Sequence, residues 1–97
     1  DLMYEKDIEK AVCEYARKKD FLAYKFVSPA HMAVPDRLFI TPKGNCFFIE
    51  FKAPGKRATP QQLREHNRLL VHFMDVHVVD DVLRGKELID YYEKTEQ

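Results

Sequence analysis

Two kinds of apolar spacing run along this chain of 97 residues and predict its helices and strands. In residues 4–19, apolar side chains recur at the spacing of one helical face, at Ile8, Ala11, Val12, Tyr15 and Ala16. Shorter stretches rich in Phe, Ile and Val, bounded by turn residues, are typical of strands. We therefore expect one small α/β domain, a central mixed β-sheet flanked by helices. The predicted elements, in the order α-β-β-β-α-β-α, cover residues 4–19, 21–27, 37–40, 46–52, 60–73, 75–79 and 82–92.

A tight turn is predicted to join the second and third strands into a hairpin. Proline at 42 fixes φ, and Gly44 and Asn45 tolerate the positive φ that such turns need. Asp36 stands at the start of one strand, and Glu50 comes 14 positions later, near the end of its antiparallel neighbour. The two carboxylates are therefore expected at the same end of the hairpin, adjacent in space although distant in sequence.

The charged residues Glu50 and Lys52 follow an almost wholly apolar strand, which needs a reason because charges are rarely buried. Side chains alternate along a strand, so these two point the same way. With Asp36, Glu50 supplies the oxygen ligands that Mg²⁺ or Mn²⁺ prefers. The ammonium of Lys52 can hold an attacking water or the developing charge on a phosphate. A solvent-facing charge pair is the commoner meaning of a lone Glu-x-Lys, but the hairpin spacing favours metal-dependent phosphodiester cleavage.

Two predicted helices bring further candidates toward this end of the sheet. Glu5 lies where the apolar stripe of the first helix begins, so it either reaches the metal or its waters or is a solvated helix charge. Glu9, one turn on, is expected to be solvated or to support the site, and which of the two carboxylates serves the site stays open. Gln62 stands three residues after Thr59 in a capping box, so it either caps its helix or helps hold the attacking water or a phosphate.

The formal net charge of zero hides an uneven distribution. Residues 1–74 carry 13 Lys and Arg against 9 Asp and Glu, a balance of +4, whereas residues 75–97 carry 3 against 7, a balance of −4. Residues 1–74 include a run of basic side chains after Lys52 along which a phosphate backbone can lie, although such runs are usually solvated surface. This run comprises Lys56, Arg57, Arg64 and Arg68.

Composition bears on the compartment of the chain and on the metals it could bind. No apolar run approaches the ~20 residues of a membrane span, and no signal peptide is visible. Cys13 and Cys46 have no metal-ligand spacing, so we expect both to be core thiols in a reducing cytoplasm. The four histidines form no paired zinc motif, and His66 and His72, six residues apart, face different directions on a helix.

Five short strings occur in one order along nearly the whole chain. They are residues 5–9 (EKDIE), 25–29 (KFVSP), 34–38 (VPDRL), 48–55 (FIEFKAPG) and 59–62 (TPQQ). In this order they resemble the virus-type replication-repair nuclease (VRR-NUC) domain, a branch of the PD-(D/E)XK nucleases, and the resemblance implies a restriction-endonuclease-like fold over residues 1–97. The family usually has glycine before the Pro-Asp, often with more in the preceding loop. Here residues 30–34 read AHMAV, so the shape of this loop is expected to differ.

The resemblance implies a Mg²⁺- or Mn²⁺-dependent endodeoxyribonuclease. Its catalytic positions are Glu5, Asp36, Glu50 and Lys52, with Gln62 as an accessory residue. The expected metal ligands are Asp36, Glu50 and the backbone carbonyl of Phe51, with Glu5 binding directly or through water. The residues expected to contact nucleic acid are Lys25, Ser28, Lys56, Arg57 and Arg64.

Relatives of this kind resemble structure-specific phage nucleases and Holliday-junction resolvases. The resemblance therefore implies branched or four-way DNA as the substrate, a homodimer, no membrane association, and a place in the cytoplasm of a bacterial or phage-infected cell. We also expect residues 28–34 to be mobile without DNA. The alternative is a catalytically inactive DNA-binding or dimerisation module of the same fold, against which the intact Asp36, Glu50 and Lys52 count.

Overall fold

The computed structural model describes residues 3–96, and its seven elements follow the predicted order. The first strand and the second helix are shorter than predicted, whereas the last helix runs three residues further. Within this part of the chain, no helix is both long enough and apolar enough to cross a bilayer. The elements are α1 (Glu5–Lys18), β1 (Leu22–Lys25), β2 (Arg37–Ile40), β3 (Cys46–Phe51), α2 (Pro60–Val71), β4 (Val76–Val79) and α3 (Val82–Thr95).

The four strands form one mixed sheet in the order β1-β2-β3-β4. The pairs β1–β2 and β2–β3 are antiparallel, and β3 and β4 are parallel. Arg37 pairs with Ile49 and Phe39 with Phe47, which is the predicted hairpin. Helix α2 makes the crossover that a parallel pair of strands needs. The predicted small α/β domain with a mixed sheet is therefore confirmed.

One face of the sheet carries the apolar core. Side chains alternate along β3, so Phe47, Ile49 and Phe51 lie on the face that α1 and α3 cover, and all three are fully buried. The ring of Phe47 stacks on Tyr92 of α3, with 3.8 Å between centroids. Of the five apolar positions predicted for α1, three are buried here, Ile8, Val12 and Ala16, and Cys13 is buried beside them. Ala11 and Tyr15 are half-buried.

Helices α1 and α3 approach each other closely at Gly85. A Cβ atom at this position would overlap the side chain of Val12 and would lie 3.2 Å from Cγ1 of Val79. Only glycine therefore fits without displacement of neighbouring side chains. Because α1 begins with Glu5 and also carries Glu9, this contact helps to set where those two carboxylates lie.

Helix α2 covers the opposite face of the sheet only in part. His66 is the one buried residue of α2. Leu63 and Leu70 are 53% and 54% exposed, and Phe73, just past the helix, is 91% exposed. The apolar surface predicted around residues 69–73 is thus present, although Leu69 itself is half-buried.

The prediction that both cysteines are core thiols is wrong for one of them. Cys13 is buried between α1 and the sheet, whereas Cys46 is exposed. Cys46 is the first residue of β3, directly after the turn, where neighbouring structure does not yet cover the strand. Burial of β3 therefore begins at Phe47 and continues through Phe51.

A long connection between β1 and β2 leads into Asp36. Its backbone is tied down where Phe26 N–H donates to the carbonyl of Asp36, at 2.9 Å. Ala33 has φ of 66°, in the left-handed region that favours glycine. The loop thus contains a glycine-type conformation in a segment where the resembled family is rich in glycine. Its mobility without DNA stays a prediction.

Candidate active site

Asp36 and Glu50 meet at one end of the β2–β3 hairpin. The pairing of Arg37 with Ile49, extended by one residue, sets Asp36 opposite Glu50. The Asp36 carboxylate is held by the backbone N–H of Phe51, which donates to Oδ2 at 2.7 Å. The hairpin therefore brings together the two carboxylates that the turn and spacing predicted to be neighbours.

Glu50 is almost completely buried, with 2% of its surface exposed. It lies on the face of β3 opposite Phe47 and Ile49, toward α2. Burial raises the pKa of Glu50 well above its usual range, and the nearby Asp36 carboxylate raises it further. The positive charge of Lys52 acts in the opposite direction. A buried carboxyl with a second carboxylate beside it is a site where a cation would lower the electrostatic cost.

Helix α2 contacts Glu50 through two side chains. Gln62 Nε2 donates to Oε2 of Glu50 at 3.2 Å, and His66 Nε2 lies 3.3 Å from Oε1. Gln62 also completes the predicted capping box: its Oε1 accepts from Thr59 N–H at 2.9 Å, and its own N–H donates to Thr59 Oγ1 at 3.1 Å. The structure thus confirms that Gln62 caps its helix, and the same amide also reaches Glu50. Its part in holding the attacking water or a phosphate stays a prediction.

Lys52 lies directly after β3 and is half-buried. Its backbone N–H donates to the carbonyl of Val79 at 2.9 Å, which extends the β3–β4 pairing by one residue. Its charge is close enough to the Glu50 and Glu5 carboxyls to oppose the rise of their pKa values. The ammonium thus belongs to the same cluster as the carboxylates.

The two glutamates of α1 have different surroundings. Glu5 is exposed, yet partial burial raises the pKa of its carboxyl, and so does the charge of Asp36, with Lys52 opposing. Glu9 instead forms an ion pair with Arg37, whose Nε lies 2.6 Å from Oε2. Both side chains of this pair are less than 20% exposed. The geometry favours Glu5 as the helix carboxylate at the site and a supporting part for Glu9.

The residues predicted to contact nucleic acid do not form one cluster. Lys56 and Arg57 are exposed in the loop after β3, and Arg64 is exposed on α2. Lys25 ends β1, which is separated from β3 by β2. Ser28 is half-buried in the β1–β2 connection. A cationic surface therefore follows the β3–α2 loop, whereas Lys25 lies on the edge strand β1, where it pairs with Arg37 at the same end of the sheet as Asp36.

The β3–α2 loop also borders a surface cavity of about 350 Å³. Arg84, from the first turn of α3, adds a third cation to Lys56 and Arg57 around it. Leu63 and Val78 contribute apolar walls. Arg84 was missed from the sequence, because it lies 32 positions beyond Lys52 in the acidic last quarter of the chain.

The carboxylate pair fits a hard divalent cation. Mg²⁺ takes one or two carboxylates and keeps several waters, and Mn²⁺ accepts the same oxygen donors. Asp36 and Glu50 supply two carboxylates at one place, and the backbone carbonyl of Phe51 belongs to the same short stretch of β3. Among residues 3–96, no three His, Cys, Asp or Glu side chains are grouped so that they could hold a metal ion.

His66 is the clearest site residue that the sequence analysis missed. A lone histidine on a helix carries no motif, and the spacing of the four histidines does not match a zinc site. The available signal was its position four residues after Gln62, which places both on one face of α2. The contact of Arg37 with Glu9 was likewise invisible, since it joins residues 28 positions apart.

This chain is similar to known proteins in sequence and in fold. A scan against models of protein families finds no match. A protein of Acyrthosiphon pisum secondary endosymbiont phage 1, named "Putative nuclease p44", is 49% identical over 79 residues, which cover 81% of this chain and 85% of that protein. A solved structure described as a VRR_NUC domain superposes with a TM-score of 0.83 and 30% identity, covering 91% of this chain and 96% of the other. The relative and the shared fold together show that this chain belongs to the VRR-NUC nuclease family.

Proposed function

We propose that this domain is a Mg²⁺- or Mn²⁺-dependent endonuclease that hydrolyses phosphodiesters in structured or branched DNA. One observation carries the proposal: the buried Glu50 is held beside Asp36 at the hairpin end, with Lys52 and Glu5 close enough to shift its pKa. Family membership and the name of the phage relative support nuclease chemistry. The choice of metal and of DNA structure goes beyond those names.

Asp36, Glu50 and the backbone carbonyl of Phe51 would hold the cation, and Glu5 would contact it through water. When bound, the cation supplies Lewis-acid activation of water and neutralises charge on the phosphate. The hydrogen bond from Phe51 N–H keeps Asp36 turned toward the site. Burial of Glu50 excludes bulk water, which strengthens every electrostatic interaction there.

Lys52 would act on the reacting phosphate. In the reaction, a water oxygen bonds to phosphorus, the bond from phosphorus to one sugar oxygen breaks, and that oxygen takes up a proton. The Lys52 ammonium can orient the attacking water or stabilise the negative charge that develops on the phosphate. Donors of this type are typically worth about 10²- to 10³-fold in rate. Gln62, with its amide committed to Thr59 and Glu50, orients the site.

A dimer would suit branched DNA. A four-way junction has two-fold symmetry, so paired cuts need two active sites, which a two-fold symmetric dimer supplies. The exposed apolar surface of α2 offers one interface for it, since Leu70, Val71 and Phe73 are each more than half exposed. Lys56, Arg57 and Arg64 are then available to DNA phosphates, and binding is expected to weaken steeply with salt.

One cleavage assay tests the proposed chemistry. Branched and linear DNA are incubated with the wild-type protein in Mg²⁺, Mn²⁺ or EDTA, together with Asp36→Asn and Asp20→Asn. We expect Asp36→Asn to abolish cleavage and Mn²⁺ binding while the fold persists, because an asparagine oxygen can still accept from Phe51 N–H. Asp20→Asn makes the same chemical change at an exposed residue whose φ of 64° suits asparagine, so it should cut normally.

Different results would favour the inactive module or remove the junction-resolving role. Calorimetry that finds unchanged Mn²⁺ affinity in Asp36→Asn would reject the metal assignment. Binding of branched DNA without cleavage in any metal would indicate an inactive DNA-binding module. A monomer by light scattering at micromolar concentration, with equal cutting of linear and four-way DNA, would refute the resolvase role and leave the nuclease chemistry standing.

A further inference from the structure

Helix α2 buries a polar side chain and leaves two of its three leucines largely in solvent. His66 is 8% exposed, whereas Leu63 and Leu70 are both more than half exposed. Burying a polar group costs free energy unless hydrogen bonds compensate it, and a leucine would fill a helix–sheet contact at no such cost. Packing alone therefore gives no reason for a histidine at this position.

The surroundings of His66 supply that reason. Gln62 and His66 are one helical turn apart and contact different oxygens of one carboxylate, Oε2 and Oε1 of Glu50, at 3.2 and 3.3 Å. The side chains of Glu50 and His66 are 3% and 10% exposed, so water has little access to this contact. An ionised carboxylate only accepts, so the ring nitrogen Nε2 carries the hydrogen when Glu50 is charged.

We infer that His66 is a positioning residue for Glu50: with Gln62, it holds both carboxylate oxygens in one orientation, ready to bind a divalent cation. The inference rests on the function proposed above. A carboxylate rotates easily about its terminal torsion, and the charge of Asp36 repels the ionised form. Two donors from one rigid helix oppose that rotation. Loss of such a supporting contact typically costs about 10- to 100-fold in metal affinity or activity.

A second hydrogen bond fixes the orientation of the Gln62 amide, so Gln62 and His66 can hold the Glu50 carboxylate together. Thr59 N–H occupies Oε1 of Gln62, so its NH₂ group is the end that faces Glu50. His66 has no such tie to the helix terminus and depends on burial for its place. Burial also lowers the pKa of His66, with the charge of Lys52 adding to this effect and those of Glu65 and Asp36 opposing it.

The test compares His66→Leu and His66→Gln with the wild-type protein. Leucine keeps the volume and removes the donor, whereas glutamine restores an N–H that can reach Glu50. His72→Leu makes the same change at an exposed histidine just past α2 and serves as the control. Four quantities are measured: Mn²⁺ affinity by calorimetry, single-turnover cleavage rate, DNA affinity in EDTA, and the melting temperature.

We expect His66→Leu to bind Mn²⁺ about 10-fold more weakly and to cut about 10- to 100-fold more slowly. DNA affinity in EDTA and melting temperature should be unchanged, and His66→Gln should recover most of both losses. Wild-type Mn²⁺ affinity in His66→Leu would overturn the inference, since it would leave His66 a structural part only. If His66→Leu does not fold, His66→Asn replaces it: its amide is too short to reach Glu50, so wild-type Mn²⁺ affinity there would also overturn the inference.

Crystal structures without metal separate this inference from the proposed function. A wild-type protein that cuts no DNA would refute the proposed nuclease activity but would still reveal where Glu50 points. A Glu50 carboxylate that turns away or splits between orientations in His66→Leu supports the positioning role. An identical carboxylate in the variant and the wild-type protein would overturn it, whatever the cleavage assay reports.

Discussion

The two faces of β3 differ in what they bury. On one face Phe47, Ile49 and Phe51 are fully buried against α1 and α3, where aromatic rings stack. On the other face Glu50 is buried just as deeply, but its neighbours are polar side chains of α2. Adjacent residues of one strand thus serve opposite purposes because side chains alternate.

The difference teaches that burial by itself does not mean stabilisation. The apolar face stabilises the fold by removing hydrocarbon from water. On the polar face, a carboxylate has been moved out of water beside a second carboxylate, which costs free energy. The first face therefore maintains the geometry that the second needs, and substitutions should separate loss of fold from loss of chemistry.

The largest effect is expected on the apolar face. Phe47→Ala should lower the free energy of unfolding by about 3–5 kcal/mol, because the ring is fully buried and packs against Phe39 and Tyr92. Phe73→Ala makes the same change at a 91% exposed ring and should shift stability by less than about 0.5 kcal/mol. Urea denaturation at low protein concentration measures both. Equal losses in the two variants would contradict the division between the faces.

The next effect concerns the polar face and leaves the fold intact. Lys52→Ala should slow cleavage by about 10²-fold or more, the size expected for one lost transition-state donor, while Mn²⁺ and DNA affinity stay within a few fold. Lys56→Ala, in the exposed loop, should weaken DNA binding with little change in turnover. Single-turnover kinetics with a binding titration distinguish the two. Normal turnover with weak binding in Lys52→Ala would make Lys52 a phosphate anchor instead.

A smaller effect on the apolar face depends on pH. Burial lowers the pKa of His77 from the ordinary value of 6.5, with the charge of Asp75 opposing. Above pH 6.5 the ring is neutral in both the folded and the unfolded chain. As pH falls below 6.5 the unfolded chain takes up the proton first, so the contribution of His77 to the free energy of unfolding falls until the pH reaches the folded pKa.

Replacing this ring tests the pH effect. His77→Phe should flatten the stability curve below pH 6.5 relative to the wild-type protein, at the cost of the contact between Nε2 and the Tyr92 hydroxyl at 2.7 Å. His72→Phe, at an exposed position, should keep the wild-type slope. Denaturation midpoints between pH 5 and 8 provide the measurement. Parallel curves for His77→Phe and the wild-type protein would show that another group causes the acid sensitivity.

The smallest effect is expected in the loop that leads to Asp36. Ala33→Gly should raise the free energy of unfolding by up to about 1 kcal/mol, because glycine adopts a positive φ without the cost that alanine bears. Ala30→Gly, in the same loop, lacks this relief and should be neutral or slightly destabilising. Thermal melting compares them. A lower melting temperature in Ala33→Gly would mean that the loss of chain entropy outweighs the relief of strain.

Much of the fold could be predicted because its signals are local. Turn residues around Gly44 specified the hairpin, and Thr59 with Gln62 marked the start of α2 within one residue. The hairpin in turn set Asp36 opposite Glu50, since the register of a tight antiparallel pair follows from its turn.

What could not be predicted depends on how distant elements meet. Spacing showed that α2 is a helix, but not that Leu63 faces solvent and His66 faces Glu50, because that depends on how α2 lies across the sheet. Cys46 looked buried since three apolar residues follow it, and only its place beside the turn exposes it. Arg84 lies at the cationic cavity because β4 pairs with β3 and α3 begins directly after β4.

A cation bound by the carboxylate pair, as proposed, would also couple the folding equilibrium of this domain to its ionic environment. A ligand that binds only the folded chain stabilises it by mass action, about 2.7 kcal/mol at one hundred times its dissociation constant. The protein should therefore be least stable in a chelator, which removes the cation. Melting curves in Mg²⁺, Mn²⁺ or Ca²⁺ would then rank the cations without any DNA, and the same cations would serve as stabilising additives during purification and storage.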